Sequence, residues 1–397
     1  MYKRQSLCFV FSFLVLFSCS KEENIYQQQY KTRTVLAYIA ADNDLSAEAK
    51  SKCEALLTGW NASMGKLLVV TDDGKHHPLL LQATMSNGQK QWDTLRVYTH
   101  DNMADRVLLT TVIADMSHFA PADTYGFIVF SHATGWLPAE RNTSSATNIQ
   151  EAHMQGIPKV QGEGIVTRAL IKDGTHYMNI DDFAGAIPDH RFTFIAFDMC
   201  FMANVEALYS LRNKADYFIA SATEILSPGF TPIYRTHLSK LFCTRCNQPR
   251  PLIAFATAYF DYWNKQEGIY RSATISVIRA SAFEEMAELS RHILFKSSLY
   301  KDLSSQRSLF QPYDRYSTHL FFDFSQYLNY LALTTEQRKE IARVMNHLVI
   351  YKNNTSHLIS LPIIQHSGLS VYIDNPYNPA LNKAHNHTDW QKRVISN

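Results

Sequence analysis

The chain has 397 residues, 46% of them hydrophobic, and a formal net charge of +2. A chain of that length and composition buries one large α/β core or two smaller ones. Its charges are dispersed, so no basic tract points to nucleic acid and no acidic tail to a solvating arm.

The N-terminus carries an address. Lys3 and Arg4 precede an apolar run over 7–17, too short to span a bilayer as a mature helix and laid out as a secretory signal. The run ends in LFSCS, which resembles a bacterial lipobox, a signal whose cysteine (here Cys19) is lipidated and becomes the new first residue. A tether-like SKEENIYQQQYK follows, and Lys21-Glu22-Glu23 is similar to the acidic export tag of some Gram-negative surface lipoproteins. An ordinary signal peptide or a lone anchor is the plainer alternative. The expectation is a signal over 1–18, a lipid-anchored tether over 19–32, and export to the outer membrane or cell surface, with no other membrane contact.

Short apolar runs at 34–40, 66–71, 125–131, 192–198, 217–222 and 273–278 read as strands. Lacking polar alternation, they suit a parallel sheet buried on both faces. Helical patterns fall between them at 45–57, 106–119, 203–212 and 251–263, and Asn87-Gly88 supplies a hairpin turn within 86–92. The alternation predicts an open α/β fold, a three-layer sandwich over 33–282 with a mostly parallel central sheet. Residues 137–172 are polar and form a long connection, of the kind that is functional or mobile. From about 283 to 397 a smaller, largely helical C-terminal region follows, whose last strand, 367–374, can return to the core.

Once the signal is removed, Cys19, Cys53, Cys200, Cys243 and Cys246 remain. Cys243 and Cys246 stand two residues apart without a second pair or a His-x-x-x-His, so a local disulfide or two quiet thiols is expected, not a zinc site. Asp42-Asn43-Asp44 begins like a calcium loop, but Ala47 and Cys53 stand where one needs Gly and Glu. Asp44 or Ser46 is better read as an N-cap. His76, His77, His385 and His387 read as solvated loop residues, and no Gly-x-Ser-x-Gly, His-Glu-x-x-His or phosphate loop occurs.

In open α/β sheets, ligands bind at the carboxyl ends of strands. Two such ends bear reactive side chains: YGFIVFSHATGW delivers His132, and RFTFIAFDMC delivers Cys200. If the strands are neighbours, an imidazole faces a thiol within about 4–7 Å. A thiol at a helix N-terminus is drawn toward thiolate. The backbone N–H groups at Cys200 and just after His132, at Ala133, could hold an oxyanion.

SHATGW and FDMCFMANVEALYSLRNKADYFIASATEI resemble the His and Cys motifs of the clostripain family of cysteine peptidases, which are caspase-like enzymes. AYIAADNDLS, SPGFTP and the terminal GLSVYI match as well, so the likeness runs over roughly 33–375 in the right order. The resemblance implies a caspase-like fold, His132 as base, Cys200 as nucleophile, and peptide or protein substrates cut after Arg or Lys. It gives Asp198 the carboxylate of the pocket for the residue before the scissile bond, expected to lack an internal cation, with Glu224 the next candidate. It implies no cofactor, with calcium an option that no motif here supports. The chain has Ala133 where the family commonly has glycine, so either that amide sits at an ordinary φ or activity is reduced. The rival readings are a catalytically weak peptide- or partner-binding surface protein and a transpeptidase or ligase on the same dyad. Relatives also cut themselves between the two strands, which here makes Lys159 or Arg168, flanked by Gly156, Gly162 and Gly164, the expected self-cleavage site.

Overall fold

Apolar runs that need cover on both faces become the middle of one sheet. The computed structural model describes residues 32–72, 77–100, 102–138, 170–245 and 248–395. The signal, Cys19, Cys246, Lys159 and Arg168 lie outside the described residues. The sheet has nine strands: β1 (Arg33–Ile39), β2 (Lys66–Thr71), β3 (Leu79–Ser86), β4 (Gln89–Val97), β5 (Thr124–Phe130), β6 (Phe192–Asp198), β7 (Ala215–Ala220), β8 (Thr274–Arg279) and β9 (Val349–Asn354). Its spatial order is β9-β8-β7-β6-β5-β1-β2-β3-β4. The five strands from β7 to β2 are parallel, and an antiparallel pair closes each side.

Two cores cover the two faces. Leu36, Tyr38, Phe127, Val129, Ile195 and Phe197 face one, and Val35, Ala37, Ile128, Phe130, Phe194 and Ala196 face the other. Helices α1 (Ser46–Gly59), Thr231–His237 and Arg250–Asn264 supply the second layer, and Arg106–Phe119 and Phe283–Lys296 the first. This is the three-layer α/β architecture expected. The hairpin turn also stands, with Asn87 and Gly88 at φ of 50° and 78°, the paired positive values a two-residue turn demands.

The terminal run returns to the core, where Leu369, Val371, Tyr372 and Ile373 are buried, although only Ser370–Val371 is strand, paired with Phe322–Asp323. Its backbone is satisfied elsewhere, Tyr372 N–H donating to Glu206 Oε1 and Ser370 N–H to Ala203 O. The C-terminal region also supplies β9, an unexpected strand that forms one of the main sheet's two edges. It went unread because an edge strand needs little apolar cover, and its sequence VIYKNN turns polar.

Candidate active site

β5 and β6 are adjacent and parallel, with Phe130 opposite Asp198. His132 and Cys200 each follow that register pair by two residues, so both leave the sheet at the same carboxyl edge. The chain order reverses between β1 and β5, which makes this edge the switch point where α/β sheets place ligands.

The two loops touch. Gly135 lies at φ +60°, and a Cβ there would come within 2.9 Å of Phe201 O, the residue after Cys200. Phe201 itself has φ +59°, a left-handed conformation costly for an aromatic residue. Its ring stacks on Phe321 at 4.7 Å and its N–H donates to Thr223 O, which hold it there.

The thiol's support is not the one expected. The helix after Cys200 starts only at Val205, behind an Asn204 cap, and dipole effects fade within one turn. Instead Ile225 frames the thiol, its N–H donating to Cys200 Sγ at 3.3 Å and its carbonyl accepting from Sγ at 3.9 Å. Cys53, like Cys200, is not in a disulfide, but burial pushes its thiol up to about 12, so it stays protonated. Cys243 is disulfide-bonded.

The imidazole has a partner that the sequence did not disclose. His132 Nε2 lies 2.8 Å from Asp44 Oδ1, with both side chains largely withdrawn from solvent. Asp44 is therefore not a cap. Helix α1 begins behind Leu45 with no side-chain cap, and the turn is made by Asn43, whose Oδ1 accepts from Leu45 N–H. Asn43 also donates to Lys172 O at 2.9 Å. Among the described residues no group of three or more His, Cys, Asp or Glu is placed to hold a metal.

Ala133 is absent from the non-glycine residues with positive φ among those described. Its amide sits at an ordinary φ, and the conformational cost attached to replacing glycine does not arise.

Asp198 requires a correction. Its carboxylate, expected to lack an internal cation, lies 2.5 Å from Lys52 Nζ, with both side chains no more than 1% exposed. Phe194, Ala196 and Asp198 share the face of β6 that meets α1, where Lys52 resides. Glu224 is likewise paired, bidentate with Arg315 at 2.6 and 3.0 Å, though burial still pushes its carboxyl upward. His385, expected in solvent, is buried against Glu206, 3.2 Å from Oε1. His77 and His387 are exposed.

The clostripain family model matches residues 37–374. Among solved structures, the chain is similar to an inactive zymogen C11 protease from Parabacteroides distasonis, 29% identical with a TM-score of 0.74, over 92% of this chain and 98% of that one. It is similar also to a secreted C11 cysteine protease from Bacteroides thetaiotaomicron in complex with an irreversible peptide inhibitor, 25% identical with a TM-score of 0.76, over 93% and 100%. It matches no curated protein sequence. The chain belongs to the clostripain family and is a cysteine peptidase, a hydrolase.

Proposed function

We propose that the protein is an endopeptidase acting on peptide or protein substrates through a His132/Cys200 dyad, with Asp44 as a positioning residue. The shared register of the two loops on β5 and β6, with Gly135 against Phe201, carries this reading. Paired with a carboxylate, Nε2 of His132 carries a proton, and exchange with the thiol runs through Nδ1. The thiol proton passes to the imidazole, and Cys200 Sγ attacks the scissile carbonyl carbon. The oxyanion is held by backbone N–H groups, of which those of Cys200 and Ala133 are the candidates. The imidazolium then protonates the leaving amine. Water, deprotonated by the same ring, attacks the thioester and releases the acid product and the thiol.

Cys200→Ala should abolish peptide cleavage, and His132→Ala should lower it by about 10²–10⁴ while the protein remains folded. Wild-type rates in either variant would remove the dyad. The ordinary φ of Ala133 supports an active enzyme over a weakened one. Transfer to an added amine instead of water remains the second reading on the same groups. Product analysis with and without the amine separates the two.

Cleavage after Arg or Lys was expected from the resemblance, with Asp198 lacking an internal cation. With Lys52 on that carboxylate, basic specificity rests on the family resemblance alone. Export and lipidation at Cys19 rest on the lipobox-like LFSCS, and among the described residues no helix is long and apolar enough to cross a membrane. Loss of labelled fatty acid in Cys19→Ala tests the anchor.

A further inference from the structure

We propose that Arg315 is a positioning residue of this peptidase, acting through Glu224 and the Ile225 backbone to hold the Cys200 thiol in place. The proposal rests on the His132/Cys200 reading.

The loop over 314–321 is organised by one carboxylate. Asp314 is fully buried and accepts from the Tyr316 N–H at 3.1 Å, the Leu320 N–H at 2.7 Å and the Phe321 N–H at 2.8 Å. Side chains of this loop reach two segments that meet at the thiol. Phe321 stacks on Phe201, the residue after Cys200, and the Tyr316 ring lies 6.2 Å from the same ring. Arg315 Nε and Nη2 donate to the two Glu224 oxygens at 2.6 and 3.0 Å, with the side chains only 8% and 15% exposed. Glu224 precedes Ile225, whose N–H and carbonyl both meet Cys200 Sγ. The peptide unit between the two is held as well, Glu224 O accepting from the Thr223 hydroxyl at 3.1 Å. A guanidinium fork fixes the plane and direction of a carboxylate, which a point charge does not. Without Arg315, Glu224 would be a buried carboxylate that has lost its cation, and it would protonate or turn toward solvent. Either response frees the backbone that frames the sulfur. A nucleophile displaced by about 1 Å can lose 10² in rate.

The test measures kcat and KM on a quenched peptide built around a casein bond that the wild type cuts. In Arg315→Met, kcat should fall by about 10–10² with KM little changed, because the thiol is misplaced while the substrate's own contacts are kept. Arg315→Lys keeps the charge without the fork, and its kcat should fall between those of the wild type and Arg315→Met. Should Arg315→Met fold poorly, the double variant Arg315→Met/Glu224→Met leaves no charge of the pair buried alone. It should melt near the wild type and show the same loss of kcat. A wild-type kcat in Arg315→Met or in the double variant, or a loss carried by KM, overturns the proposal. If Cys200→Ala still cuts the peptide, the dyad reading fails and this proposal falls with it.

Discussion

Asp44 Oδ1 meets His132 Nε2 at 2.8 Å across the boundary between β1 and β5, joining a loop that follows one strand to a loop that follows its neighbour. If His132 and Cys200 act as the proposed dyad, a carboxylate there orients the ring and stabilises the imidazolium formed when the thiol gives up its proton. Asp44→Ala should lower kcat by about 10–10² with KM little changed. A fall in kcat matched by a fall in melting temperature would mark Asp44 as purely structural.

Gly135→Ala should separate the two catalytic loops. The substitution places a Cβ 2.9 Å from Phe201 O and forces alanine to φ +60°, a conformational cost of roughly 1–2 kcal/mol before any clash is counted. Both the melting temperature and the rate of Cys200 alkylation by a peptide probe should fall. Gly88→Ala is the control: at φ +78° it carries a similar backbone cost, but no atom lies within 4 Å of the added Cβ. That variant should lose stability and keep its activity. Equal loss of activity in both would mean that Gly135 matters only for folding.

Asp173 gives the stability a pH dependence. Its carboxyl accepts from Met103 N–H at 2.6 Å and is otherwise buried, and burial, together with the charges of Asp72 and Asp42, pushes its pKa up to about 6. An unfolded aspartate titrates near about 3.9. The folded state therefore holds the proton more tightly, so this contribution is complete below about pH 4 and is lost as pH rises through about 6. Asp173→Asn keeps an acceptor for Met103 without the charge. The variant should melt above wild type at pH 8, with the advantage shrinking toward pH 4. A constant difference across that range would assign the effect to packing.

Much of this site could be read from the sequence because its carriers follow continuous apolar strands. The run at 192–198 is β6 to the residue, and parallel strands buried on both faces fix where His132 and Cys200 emerge. The partners were hidden because they are side-chain contacts across long separations. Lys52 is 146 residues from Asp198, and Asp44 is 88 from His132. One signal was available. Ala49, Lys52, Ala55 and Leu56 form the buried stripe of α1, so the lysine sits in the middle of an apolar helical face. A buried lysine requires an acid, and the parity of β6, with Phe194 and Ala196 inward, points Asp198 to the same layer. Asp44 resembled a cap because Asx residues before a helix usually are caps, but α1 has no side-chain cap and Asn43 only makes the turn that precedes it.

The pairing of Asp198 with Lys52 also bears on how the chain matures. Lys159 and Arg168 lie between the His strand and the Cys strand, outside the described residues, and were expected to be the points of self-cleavage. If Asp198 is the carboxylate that basic self-cleavage requires, its pairing with Lys52 leaves no counter-charge for either. If cleavage at these positions activates the protein, it should come from a second, basic-specific protease. Purified wild type and Cys200→Ala should therefore both stay whole at Lys159 and Arg168 on prolonged incubation. Brief trypsin treatment should cut both proteins and raise the peptidase activity of the wild type alone. N-terminal sequencing would place any spontaneous cut. A new terminus after Lys159 or Arg168 in the wild type, absent from Cys200→Ala, would restore basic self-cleavage.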